Sequence, residues 1–183
     1  MSELHNITIR TLGPEDAERF IALRLEALKA NPEAFSTTYE ETIQDKNLLD
    51  TWKTRLTPTL DLFTMGAFVG DTLVAVATLK RETYVKLRHK ASLAGVYTTP
   101  AQRGKGIAKK LISAIIEKAK ELDGLEQINL TVASDNEAAR HLYLSLGFQV
   151  FGTEKNALKQ NGLIPVKWTV QNKPLLYAAS ARY

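Results

Sequence analysis

Apolar and polar positions alternate from Ile7 to Leu12, which predicts an opening strand. Gly13-Pro14 breaks it, and Pro14 with Glu15 and Asp16 suits a first helical turn. Phe20, Leu23, Ala27 and Leu28 then recur at helical spacing up to the stop at Asn31-Pro32. Residues 33 to 57 read as further short, moderately acidic helices. Phe63 to Val69, a Gly70-Asp71 turn and Thr72 to Leu79 form a predicted hairpin. Residues 80 to 90 are a basic loop, and Ala91 to Thr98 is the next strand, ending at Pro100. From Gly104 to Leu122, Ile107, Leu111, Ile115, Ala119 and Leu122 keep to one helical face, with Gly124 as the stop. Gln127 to Val132 is a strand. Ser134-x-x-Glu137 has the form of a capping box, opening a helix that runs to Leu146 and ends at Gly147. Phe148 to Gly152 and Pro165 to Val170 supply the last strands. Strands and helices both alternate and cluster, so the fold class is a mixed α/β (α+β) sheet with helices on its faces.

Composition narrows the chemistry. The 183 residues fit one domain and can bury a sizeable core without staples. With no cysteine, disulfides, thiolate metal sites and cysteine nucleophiles are excluded. His5, His89 and His141 lack ligand spacing, so no metal site is expected. No long apolar run suggests a membrane span, and Met1 to Asn6 does not resemble a leader, so a cytoplasmic protein is the expectation. The net charge of +4 suits a polyanionic nucleotide cofactor and equally RNA.

Val96-Tyr97-Thr98-Thr99-Pro100-Ala101-Gln102-Arg103-Gly104-Lys105-Gly106-Ile107-Ala108 carries the strongest signal. A buried strand runs into a glycine-rich loop with two cations, and the loop runs into the best helix. Backbone N–H groups at a helix start lack internal partners and hold the positive end of the dipole. Glycines let that backbone close on an anion, while Arg103 and Lys105 add charge, so the segment reads as a pyrophosphate site. A glycine turn with solvated cations is the plain alternative. A P-loop needs Ser or Thr after Gly-Lys, where Gly106 stands, and a dinucleotide fingerprint needs a third glycine, where Lys109 stands.

Arg103-x-x-Gly106-x-Ala108 resembles the Q/R-x-x-G-x-G/A signature of the GNAT acetyltransferase superfamily. Asn136-x-x-Ala139-x-x-Leu142-Tyr143-x-x-Leu146-Gly147-Phe148 is similar to that family's other recurring segment. Asn136, Ala139 or Arg140, and Tyr143 share one helix face, which taken alone could be an ordinary core stripe. Arg24 to Leu28, Pro32 to Phe35 and Tyr39 to Glu41 also resemble the opening of many bacterial family members. Gly162 to Val166 departs from the family, where acidic or aromatic residues are common, so acceptor preference can differ.

The resemblance implies a mostly antiparallel central sheet, splayed at the cofactor strand, with helices on both faces. It implies one domain over 1–183, with acceptor-side helices in 1–60, an acetyl-CoA-binding core in 61–148 and C-terminal strands in 149–183. Acetyl-CoA would be held by Val96, Tyr97, Thr98, Arg103, Gly104, Lys105, Gly106, Ile107, Ala108, Asn136 and Tyr143. The acceptor, a small-molecule or peptide amine, would meet Phe35, Tyr39 and Glu40. Attack on the acetyl group would be direct, with a backbone N–H near Val96 or Tyr97 on the carbonyl and Tyr143 as general acid for the thiolate. Many relatives carry a glutamate base near the position of Ser92, so here a water chain, Glu40 or Glu41 must serve, or the acceptor arrives partly neutral. Glu40, Glu41, Asp45 and Asp50 suggest an acidic lip for a cationic acceptor, although a solvated helix face would look the same. A homodimer stays open. The alternatives are an acyl-CoA-binding module without transfer activity, or an RNA-binding domain using Lys80, Arg81, Lys86, Arg88, His89 and Lys90, which show no recognised RNA signature.

Overall fold

A computed structural model describes residues 7–154 and the strand at 167–172. The readings of Met1 to Asn6, of Gly162 to Val166 and of Pro165 as a strand start lie outside the described residues. The strands are β1 (Ile7–Thr11), β2 (Leu62–Val69), β3 (Thr72–Arg81), β4 (Lys90–Thr98), β5 (Gln127–Ala133), β6 (Gln149–Glu154) and β7 (Lys167–Asn172). The α-helices are α1 (Ala17–Ala30), α2 (Tyr39–Ile43), α3 (Leu48–Leu56), α4 (Ile107–Lys120) and α5 (Glu137–Ser145). The strands form one seven-stranded sheet in the order β1-β2-β3-β4-β5-β7-β6. Every neighbouring pair is antiparallel except β4 and β5. The mixed, mostly antiparallel sheet expected from the sequence is therefore present.

Side chains of β3 go to two cores, and a register shift against β2 at Ala67/Phe68 turns Leu73 to the face opposite Ala75. Ala75, Ala77 and Leu79 join the cluster that holds Leu111, Ile112 and Ile115 of α4. Leu73 and Val76 join the cluster that holds Phe20, Leu23 and Ala27 of α1. Helices thus cover both faces of the sheet. Each fully buried Leu or Ile contributes about 1.5–3 kcal/mol, which fixes α4 and α1 against the strands that carry the cleft.

Asp16 does more than its helix-start position suggested. It is fully buried and receives both terminal nitrogens of Arg10 at 2.7 Å, together with the Gly13 N–H at 3.1 Å. The Arg10 hydrogen bonds hold its carboxyl below the usual range against the opposing effect of burial. This pair pins the β1–α1 corner. In the 80–90 segment, buried Arg81 donates to the carbonyls of Arg88 and Asp123 at 2.6 and 2.7 Å, while Arg88 pairs with Asp61 at 2.9 Å. Two of the cations that suggested RNA are thereby committed to bracing the loop.

Candidate acyl-CoA cleft

The cleft begins with a defect in β4. Val76 pairs with Tyr97 and Thr78 with Ala94, so β4 spends one residue more than β3 across this stretch. Gly95 takes up the excess at φ +62°, a conformation that costs a side-chain-bearing residue energy. On its other edge β4 pairs with β5 only at Lys90, Ala91 and Ser92. Past Ser92 the parallel strands part, and β5 continues against β7. A cleft of about 600 Å³ opens in the gap, walled by β4 from Leu93 to Thr98, the start of α4, the end of β5, and α5. That volume suits a cofactor-sized ligand.

The start of α4 forms a second wall. Gly104 and Gly106 both sit at φ +75°. Gly106 is the N-cap, and no side chain caps it. The first helical bond is from the Lys110 N–H to the Gly106 carbonyl at 3.1 Å. The backbone N–H groups from Gly104 to Lys109 therefore have no acceptor among the described residues. A Cβ at Gly104 or Gly106 would meet nothing within 4 Å, so the glycines are required by φ and not by crowding. Unpaired amides at the positive end of a 14-residue helix fit a diphosphate.

The two cations of the loop are placed differently from each other: Arg103 lines the cleft and Lys105 does not. Arg103 donates to the Thr98 carbonyl at 3.0 Å and to Asn31 Oδ1 at 2.8 Å. Its guanidinium lies 5.5 Å from the Tyr97 ring centroid. Lys105 donates to Gln102 Oε1 at 3.0 Å and stands outside the lining, whereas Lys109 stands within it. Val96, Thr98, Gly104, Gly106 and Ala108 line the cleft, as does Ile107, whose side chain is buried in the core. Tyr97 contributes to the lining, while its ring packs in the α1 core and its hydroxyl donates to Glu26 at 2.9 Å. Burial, and then Glu26, push its pKa up to about 12.

The α5 wall brings Asn136 and Tyr143 to the same cleft. Its N-cap is Asn136, whose Oδ1 accepts the Ala139 N–H at 3.1 Å, so the predicted box at Ser134 and Glu137 does not open this helix. Asn136, directly before the first helical residue, is the stronger competitor for that role. Tyr143 is buried, edge-on to Phe148 with centroids 5.8 Å apart, and its hydroxyl has no partner among the described residues. Burial alone pushes its pKa up to about 12.

The front wall runs from Asn31 to Phe35. Phe35 lines the cleft and carries the Arg24 guanidinium on its ring at 4.4 Å. Tyr39 lies under Lys29 and, like exposed Glu40, is outside the lining. Glu41 is engaged in a capping box, accepting the Thr38 N–H at 2.8 Å, and Asp45 accepts the Asn47 N–H at 2.9 Å. Ser92 sits where three strands pair, between Lys80 and Asn129, at the closed end of the cleft. Glu33 and Asp135 do line the cleft, and neither was singled out in the sequence, nor were Asn31, Glu26, Gly95 and Lys109. A lone glycine inside a strand pattern could have marked the bulge. No group of three or more possible metal ligands occurs among the described residues.

Comparison with known proteins agrees with this architecture. The Acetyltransferase (GNAT) family model matches residues 23–148, well over half the chain. The mycothiol acetyltransferase of Brachybacterium faecium is 29% identical over 76% of this chain and 39% of its own length. The L-amino acid N-acetyltransferase AaaT of Escherichia coli is 25% identical over 87% of this chain and 93% of its own. An acetyltransferase of the GNAT family from Streptococcus pneumoniae superposes with a TM-score of 0.80 over 92% of this chain and 99% of its own, at 20% identity. The yncA structure from Salmonella typhimurium, solved with its cofactor acetyl-CoA, superposes at 0.77 over 91% of this chain and 93% of its own, at 22% identity. The chain belongs to the GNAT acetyltransferase family. It spans about two fifths of the length of the first curated relatives it matches, at 39% and 42%. No described helix is long and apolar enough to cross a membrane.

Proposed function

We propose that this chain transfers the acetyl group of acetyl-CoA to a primary amine by direct attack. The observation that carries the reading is the run of unpaired amides from Gly104 to Lys109, in a segment whose residues other than Lys105 line the same cleft as Tyr143. Acetyl-CoA supplies a thioester, whose diphosphate those amides would hold and whose arm would follow the open edge of β4 from Val96 to Thr98. Asn136 fixes the α5 wall of the same site through its cap. An amide of Val96 or Tyr97 would donate to the carbonyl oxygen as charge gathers there.

In the reaction the C–N bond forms, the C–S bond breaks, the amine gives up a proton and the sulfur gains one. An alkylammonium with a pKa near 10.4 costs roughly 4–5 kcal/mol to deprotonate at pH 7. Glu33 stands on the front wall and lines the cleft, and on this reading it would receive that proton. Tyr143, with its pKa near 12, keeps its proton at every physiological pH. Full transfer from that hydroxyl to a thiolate near 8.5 would be uphill by about 3.5 units, or roughly 5 kcal/mol. Its contribution is therefore a hydrogen bond held to the departing sulfur, with the thiol's proton drawn from solvent on release.

Two Escherichia coli relatives are named for L-amino acids: AaaT, and the N-acyltransferase MnaT, 40% identical over 55 residues. Amino acids therefore head an acceptor panel that continues with polyamines, amino sugars and peptide N-termini. Thiol release from acetyl-CoA should rise above hydrolysis with at least one class. If every class fails while CoA still binds, the chain is an acyl-CoA-binding module without transfer activity.

A further inference from the structure

We propose that Asn31 and Arg103 form a clasp that sets the phosphate loop against the front wall, with Arg103 acting on the cofactor through position and not by charge contact. The inference rests on the acetyl-CoA reading above. Arg103 precedes two loop residues at φ +75°, and its Nε and Nη2 are engaged by the Thr98 carbonyl and by Asn31 although the residue lines the cleft. The Asn31 side chain is used at both ends. Its Oδ1 receives Arg103 at 2.8 Å, and its Nδ2 donates to Glu33 Oε1 at 3.2 Å. A polar strap thus runs from Glu33 through Asn31 and Arg103 to the Thr98 carbonyl, joining front wall, phosphate loop and cofactor strand.

A second tie lies one to two turns back along α1. Glu26 Oε1 accepts the Tyr97 hydroxyl at 2.9 Å and the Thr99 hydroxyl at 2.6 Å. The C-terminal half of α1 is therefore fastened to both ends of the segment that leads into the amides. Those contacts hold the strand-to-loop turn while leaving the N–H groups of Gly104 to Lys109 free for a ligand. Asn31 and Arg103 are positioning residues in this account.

The experiment compares wild type with Asn31→Ala, Arg103→Met and the double variant, by two measurements. Amide hydrogen exchange on the free protein should quicken at Gln102, Arg103 and Lys110, the bonded amides that flank the loop, in all three variants, without a matching change in α4 after Leu111. CoA titration by calorimetry should show each single variant weakened about tenfold. The double variant should lose less than the sum of the two single losses, because both single variants already lack the shared Asn31–Arg103 bond. The losses should be equal at low and high salt. Additive losses would overturn the clasp, as would a salt-sensitive loss confined to Arg103→Met, which would make Arg103 a direct phosphate ligand. Unchanged exchange in Asn31→Ala would overturn it without reference to CoA. Failure of the wild type to bind CoA would instead remove the acetyl-CoA reading, with the exchange data still deciding whether the strap holds the loop.

Discussion

The α4 wall of the cleft offers backbone: unpaired N–H groups on two left-handed glycines at a helix start. The front wall, from Asn31 to Phe35, offers side chains, and most of its neighbouring polar groups already have work elsewhere. A backbone anion site depends on φ and on the absence of competing caps, so a single residue can abolish it. A side-chain wall depends on which partners each group finds, so its residues can be exchanged more freely.

Substitution at Gly106 should break the comparison most sharply. Gly106→Asp is expected to lower CoA affinity at least a hundredfold, because a carboxylate would stand against phosphate and compete for the same amides. Gly106→Asn tolerates the left-handed region and adds no charge, so its loss should be clearly smaller in the same calorimetric titration. Equal losses would make the effect one of loop strain.

Asp16 tests whether the front half has its own anchor. Asp16→Asn should cost about 2–3 kcal/mol in urea unfolding at pH 7, below the full buried-pair range because Arg10 is 41% exposed. The folded pKa of Asp16 is lowered, so the stability it contributes is present above the unfolded value near 3.9 and lost as pH falls toward the folded value. The gap between wild type and variant should therefore close below about pH 4. A constant gap down to pH 2 would assign the cost to packing.

Tyr143→Phe keeps the ring against Phe148 and deletes the hydroxyl. With chemistry rate-limiting, kcat should fall at least tenfold while CoA affinity stays within about twofold. Since the hydroxyl titrates near 12, any alkaline fall in wild-type kcat below pH 10 must persist in the variant. Near-normal kcat would reduce Tyr143 to a packing residue. At the smallest end, Glu40→Gln should change acceptor KM less than about twofold, since Glu40 is exposed and off the lining. A larger rise would restore the acidic lip.

What could be read from the sequence follows the same division. The hairpin around Gly70-Asp71, the cofactor strand, the apolar face of α4 and the glycine loop all follow from local period and backbone chemistry, and all are present. The cap of α5 was misplaced by two residues because Ser134, Asp135 and Asn136 are all competent caps, and only the fold chooses. Asn31 reads in sequence as a helix stop, and it is one, its N–H bonding the Ala27 carbonyl at 2.9 Å. Its bond to Arg103 spans 72 positions and has no local signature. The same holds for Glu26, whose partners Tyr97, in β4, and Thr99, just after it, meet α1 only in the folded sheet.

The central claim, that the amides from Gly104 to Lys109 hold the diphosphate of CoA, is tested most directly by following backbone amide resonances as CoA is added. The account predicts that the largest shifts fall on Gly104 to Lys109, with smaller ones along Val96 to Thr98 and at Tyr143. Saturable CoA binding that leaves Gly104 to Lys109 unmoved would contradict it.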